Sequence, residues 1–377
     1  MTTKKILDFL DCHRPEGPCL VVDLEVVRKN YRAYERALPR TRIHYAVKAN
    51  PAPEVLALLV RLGASFDVAS IREVEMVLEA GASAGSISYG NTIKKERDIS
   101  RAYRLGVRQF TADCPEEVEK IARAAPGVQV FCRLLTDGAG AEWPLSRKFG
   151  CDPTVARDVM RHARRLGLAP CGLTFHVGSQ QTDPSAWQRA LEDVVQVYRG
   201  LADEGILIKS LNLGGGFPAR YLSDVPMAAD YGREILRALR SRFGNAFPDT
   251  AIEPGRGLVG NAGTIKSEVV LISRKSARDP LQWVYVDIGK FGGLAETMDE
   301  AIRYPLRTKH GSAGTVPYIL AGPTCDSVDV LYENRPCGLP RSLKIGDDVL
   351  IEGAGAYTAT YASTGFNGFR PLDVYVL

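Results

Sequence analysis

Residues 43–70 read IHYAVKANPAPEVLALLVRLGASFDVAS. An apolar run of strand length, rich in aromatic and β-branched residues, ends at Lys48. Val55, Leu56, Leu58, Leu59 and Leu62 then recur at helical spacing, and Gly63 stands where a helix closes in the left-handed conformation. A second strand-like run follows at 65–69. Strand, helix and strand in such quick succession form the β/α/β unit of a parallel sheet.

The unit repeats outward along the chain. Strand-like runs occupy 43–48, 65–69, 86–89, 108–111, 128–134, 172–177, 209–213 and 250–253. Helical patterns such as Val74, Met76, Val77 and Leu78 lie between them, and Gly81, Gly106, Gly167 and Gly205 close several. A further helix at about 24–37 precedes the first strand and brings the helices to eight. The spacing predicts a (β/α)8 TIM-type barrel over 23–262, an α/β fold. Beyond 263 the texture changes to strands at 266–273, 282–288, 316–321, 346–352 and 372–377, broken by Gly/Pro turns and one short helix near 294–303. Residues 263–377 together with 1–22, whose strand begins CLVV at Cys19, read as an all-β barrel domain.

Composition narrows the function. Of 377 residues 45% are hydrophobic and 24% charged, and 48 Lys and Arg against 44 Asp and Glu give +4 with the signs mixed. Such a balance argues against nucleic acid or an anionic membrane as partner. No apolar run reaches membrane-spanning length, and Asp8, Asp11 and Pro15 interrupt the N-terminal stretch, so a cytoplasmic location is expected. Eight cysteines lack metal spacing and are expected to be reduced. The five histidines include no H-x-H or HExxH pattern, which speaks against a metal-dependent hydrolase.

In a barrel of this kind the chemistry sits at the C-terminal ends of the strands. Those ends carry Lys48, Asp67, the Tyr89-Gly90-Asn91 turn, Arg133, His176 with Ser179, Gly214-Gly215-Gly216, and Glu253-Pro254-Gly255-Arg256. Each alone has a plain structural reading: a lysine on the barrel rim, a core histidine, a flexible turn, a Glu–Arg pair. Together they describe one ligand. The glycines, Arg256 and Ser179 offer donors to a phosphate. Glu253 would repel that phosphate and suits a protonated ring nitrogen; His176 offers a face for an aromatic ring, and Lys48 an amine for an aldehyde. The ligand with all four features is pyridoxal 5′-phosphate.

Eight stretches in order, YAVKAN (45–50), FDVAS (66–70), FHVGSQ (175–180), LGGGFP (213–218), EPGR (253–256), GPTCDSVD (322–329), GAYT (355–358) and FNGF (366–369), resemble the group IV, alanine-racemase-fold, pyridoxal-phosphate-dependent decarboxylases, and most closely their ornithine-decarboxylating members of the bacterial type. The resemblance implies that Lys48 joins the cofactor, Glu253 meets its ring nitrogen and His176 stacks on it. It implies that Ser179, Gly215, Gly216, Gly255, Arg256 and Tyr357 bind its phosphate, with Asp67, Glu73 and Arg133 around Lys48. It further implies a homodimer with shared active sites, in which Cys325 protonates the α-carbon and Asp326 holds the distal ammonium of a cationic amino acid. An inter-subunit pair between Lys148 and Asp329 belongs to the same picture, and no metal does.

The implied reaction is decarboxylation of L-ornithine to putrescine. The alternatives are a bifunctional lysine/ornithine enzyme, a diaminopimelate decarboxylase, and a non-catalytic regulatory relative, which would be expected to lose Lys48 or Cys325. Glu253 in place of an arginine favours decarboxylation over racemisation, because a carboxylate keeps the ring nitrogen protonated. Asp326 favours a distal cation over a second carboxylate. The sequence departs from the eukaryotic Tyr-Asp pair at 296–305, where Pro305 follows Tyr304. Tyr304, Glu296 and Phe366 are the remaining candidates for substrate contact, with Asp299 an alternative to Glu296.

Overall fold

Eight short strands, Thr41–Ala46, Ser65–Val68, Ile87–Tyr89, Gln109–Ala112, Gln129–Arg133, Ala169–Thr174, Ser210–Asn212 and Asp249–Ile252, pair in parallel around a closed barrel in a computed structural model that describes residues 2–144, 148–311 and 314–377. The last strand closes on the first, with Thr250, Ala251 and Ile252 opposite Thr41, Arg42 and Ile43. Most residues of the strands are buried, as in Ile87–Tyr89 and Gln109–Ala112, since a parallel barrel is covered on both faces.

Each crossover is an amphipathic helix. In Pro53–Arg61 proline occupies the first turn, where its missing N–H is no loss, and Val55, Leu56, Leu58 and Leu59 are buried. Gly63 ends the helix at φ 84°. Asp152 caps Pro153–Arg165 by accepting from the Thr154 and Val155 N–H groups. Trp187 stacks on Phe217 at 4.8 Å and donates its indole N–H to Leu213 O, which packs a rigid wedge against the turn after the seventh barrel strand.

Two local features depart from the sequence reading. The first strand stops at Ala46, so Lys48 lies on the 3-10 turn Val47–Ala49 that follows; Asn50 N–H to Val47 O and Tyr45 Oη to Asn50 O hold this turn. A small antiparallel pair, Ala141–Trp143 with Ser179–Gln181, rises from the loops after the fifth and sixth barrel strands.

The chain divides into two units: residues 28–218 with 225–257, and the N-terminal segment through Val27 with Ala219–Asp224 and Leu258–Leu377. The second unit is a curled, mixed eight-stranded sheet. Its hydrogen-bonded order runs Leu306–Thr308, Asp348–Glu352, Gly263–Ser273, Gln282–Val286, Thr315–Ala321, Val330–Pro340. Cys19–Val22 pairs antiparallel with Gly263–Ser273 and parallel with Asp373–Val376. Where sequence reading places one helix near 294–303, the structure has a π-helical turn Lys290–Leu294 followed by 3-10 geometry over Ala295–Glu300. Met298 leaves helical geometry at ψ 135°, and Asp299 and Glu300 take positive φ, so regular helix cannot continue.

Candidate active site

Lys48, Asp67, Glu73, Arg133, His176 and Glu253 belong to the barrel unit and act on one another electrostatically. Lys48 Nζ stands 4.0 Å from Asp67 Oδ2. Burial raises the pKa of Asp67 well above the carboxylate range, and the charges of Glu253 and Glu73 add to this against the pull of Lys48 and Arg133. Gly90 lies so close that a Cβ there would sit 2.0 Å from Asp67 Oδ1, and only glycine lets the turn pass. Glu73 accepts the Ala69 N–H at 2.6 Å, and its own N–H is taken by Ser70 Oγ at the start of helix Ile71–Glu79. Burial also raises Glu73.

Arg133 closes the fifth barrel strand, and burial lowers its pKa against the pull of Glu253, Asp67 and Asp113. His176 follows the sixth strand. Burial first, then the Arg133 and Lys48 charges, drive its pKa well below the ordinary histidine value, so the ring is neutral at pH 7. Its Nδ1 accepts the Gly178 N–H at 3.1 Å, which leaves the proton on Nε2.

The triple glycine fits where other residues would not. Gly214 has φ 67°, and a Cβ on it would stand 1.9 Å from Phe175 O. Gly215 packs between the His176 ring and Glu253 O, at 3.0 and 2.7 Å from an added Cβ, and Gly216 has φ 106°. Glu253 N–H donates to Gly214 O at 2.8 Å, tying the ends of the last two strands together. Glu253 itself is raised by burial against the pull of Lys48, a hydrogen bond from Asn212 and Arg133. Gly255 leads into Arg256, which is 2% exposed and donates from Nη2 to Ser179 Oγ at 3.1 Å.

This arrangement has two poles. Three carboxylates, buried Asp67 and half-buried Glu73 and Glu253, face two cations, Lys48 and Arg133, and Asp67 Oδ1 is buried without a hydrogen-bond partner. More carboxylates than cations, with one carboxylate oxygen left unpaired, fit a protonated ring nitrogen. Arg256, Ser179 and the glycine turn form the other pole and suit a phosphate. The residues present therefore fit pyridoxal 5′-phosphate.

The other sequence candidates lie in the second unit. Cys325 is exposed, with its N–H donated to Asn367 Oδ1 at 2.8 Å, and Asp326 Oδ1 accepts the Val328 N–H at 3.0 Å. Phe366 packs on Phe291 at 4.5 Å, Tyr304 is buried edge-on to Tyr221 at 5.4 Å, and Glu296 is buried. Tyr357 holds a φ of 56°. Asp329 is 2% exposed and takes the Lys290 and Thr324 N–H groups and the Thr324 hydroxyl. Lys148 Nζ lies 5.1 Å over the Phe149 ring. Sequence reasoning missed Asn212, an amide side chain that ends the seventh strand, Ser210-Leu211-Asn212. Among the described residues no helix is long and apolar enough to cross a membrane, and no group of three or more acidic, His or Cys residues is arranged to hold a metal ion.

Residues 24–260 match the family model for the pyridoxal binding domain of pyridoxal-dependent decarboxylases. The lysine/ornithine decarboxylase of Selenomonas ruminantium is 37% identical over 93% of this chain and 87% of its own length. The ornithine decarboxylase of Neurospora crassa is 32% identical over 94% and 79%. A crystal structure of SrLDC in complex with PLP and cadaverine superposes with a TM-score of 0.88 at 33% identity, covering 100% of this chain and 94% of that one. The chain belongs to the group IV pyridoxal-dependent decarboxylases of the ornithine/arginine family: it has their alanine-racemase fold, uses pyridoxal phosphate and decarboxylates a basic amino acid.

Proposed function

We propose that the chain converts L-ornithine to putrescine and CO2. The observation that carries the reading is the exposed Cys325-Asp326 pair, a proton donor beside a carboxylate, in a protein whose barrel holds a pyridoxal phosphate site. When bound, the cofactor supplies an electron sink for the pair released as the carboxylate departs. Lys48 holds it covalently, Glu253 faces its ring nitrogen, and the neutral ring of His176 lies against its face. Ser179, Gly215, Gly216, Gly255, Arg256 and Tyr357 hold its phosphate, while Asp67 and Arg133 fix the charge around Lys48. The Cys325 thiol gives its proton to the α-carbon, so the product is the diamine. Asp326 pairs with the distal ammonium, which is costly to leave unpaired in a closed site. Tyr304, Glu296 and Phe366 complete the contacts, and in a homodimer Cys325 and Asp326 of the partner subunit serve each barrel.

A second reading, a bifunctional lysine/ornithine decarboxylase, is favoured by the Selenomonas relative at 37% identity. The two substrates differ by one methylene, for which a pocket discriminates by roughly 10- to 200-fold. Measuring kcat/KM for CO2 release from L-ornithine, L-lysine and meso-diaminopimelate side by side separates the readings. A preference for ornithine in that range supports the narrow name, and equal turnover of ornithine and lysine replaces it with the second. Release from diaminopimelate alone sinks both, together with the role given to Asp326.

A further inference from the structure

Asn212 ends the seventh barrel strand and is 3% exposed, and both ends of its amide are engaged. Its Oδ1 accepts the Gly214 N–H at 3.0 Å, and its Nδ2 donates to Glu253 Oε1. An acceptor facing an N–H and a donor facing a carboxylate leave no ambiguity about which end of the amide is which. The Glu253 N–H returns to Gly214 O at 2.8 Å, so Asn212, Gly214 and Glu253 close a ring of three hydrogen bonds.

We infer that Asn212 is a positioning residue for the cofactor: its amide locks the Glu253 carboxylate to the glycine turn, so that one side chain sets the spacing between the group that meets the ring nitrogen and the cradle that meets the phosphate. This rests on the reading that Glu253 faces the ring nitrogen. The choice of an amide has a physical reason. Lys or Arg in this place would hold the carboxylate but neutralise it, whereas a neutral donor holds it and leaves its whole charge for the cofactor. The hydrogen bond also opposes the effect of burial, which favours a protonated Glu253 unable to accept from a ring N–H.

The test is a double-mutant cycle on cofactor dissociation from the holoenzyme, followed by its visible absorbance. Asn212→Ala removes both links. Asn212→Ser keeps an oxygen for the Gly214 N–H while losing reach to Glu253, and guards against loss of the fold. Each is expected to weaken cofactor binding roughly 10- to 100-fold, the worth of a hydrogen bond to a buried charge. At saturating cofactor, kcat is expected to fall with KM little changed. Adding either substitution to Glu253→Ala is expected to cost no more than Glu253→Ala alone, because Asn212 acts through that carboxylate. Additive losses, or wild-type affinity in the Asn212 variants, overturn the proposal and leave the role of Glu253 standing. Unchanged affinity and spectrum in Glu253→Ala overturn the role of Glu253 and the proposal with it.

Discussion

His44 shows how one buried side chain sets a pH limit. It lies on the first barrel strand, 5% exposed, with Nδ1 buried and without a hydrogen-bond partner. Burial, helped by the Arg42 charge, lowers its pKa to about 4. The folded chain therefore refuses a proton that the unfolded chain accepts below about 6.5, and between these two values the unfolded state binds more protons. Stability is intact above about pH 6.5 and is lost as pH falls towards 4, by about 3 kcal/mol in all. Urea denaturation at a series of pH values is expected to trace this limb in the wild type and to lose it in His44→Gln. A limb that survives the substitution assigns it to another group. Residues of this kind differ in how well they show in sequence. Lys48 and Glu253 stand out as charges at the ends of apolar runs, where bland packing does not place them. His44 and Asn212 do not: the state of His44 is set by how deeply the fold buries it, and the meaning of Asn212 depends on Glu253, 41 positions further along the chain.

At the level of elements, the barrel was legible and the second unit only partly so. Five of the barrel strands follow a helix closed by a glycine at positive φ, Gly63, Gly81, Gly106, Gly167 or Gly205, so local pattern and final structure agree there. The strand Val330–Pro340 escaped because its sequence, VLYENRPCGLP, breaks apolar alternation with Glu333, Asn334, Arg335 and Pro336. Its middle is held by a remote side chain instead. Glu300, 5% exposed, accepts the N–H groups of Glu333 at 2.8 Å, Asn334 at 2.7 Å and Arg335 at 3.1 Å, and pairs with Arg335 Nε at 3.2 Å. Those bonds outweigh the upward push of burial and leave its pKa below the usual value. Glu300→Ala strands three backbone donors and is expected to destabilise the protein by roughly 2–5 kcal/mol, seen as a lowered urea midpoint. Glu300→Gln keeps an acceptor and is expected to lose less. A neutral Glu300→Ala would mean that this strand holds its course without the carboxylate.

For the molecule as a whole, the division of chemistry between two units of one chain sets the problem. The groups that fit the cofactor, from Lys48 to Arg256, belong to the barrel unit, while Cys325 and Asp326 belong to the other. In the reading proposed above, each site joins the barrel of one subunit to Cys325 of the partner subunit. Closed twofold symmetry then gives two equivalent sites per dimer. A dimer of one Lys48→Ala subunit and one Cys325→Ala subunit has one site lacking both groups and one with both intact. Random pairing of equal amounts makes half the dimers mixed, each with one working site of two, so two inactive preparations are expected to recover about a quarter of wild-type activity on mixing. Subunit exchange is followed independently by differently tagged chains. Sites built within one chain predict no recovery, because every site then lacks either its lysine or its thiol. No activity despite demonstrated exchange therefore rejects the shared site, and recovery near a quarter identifies Lys48 and Cys325 as members of one site supplied by two chains.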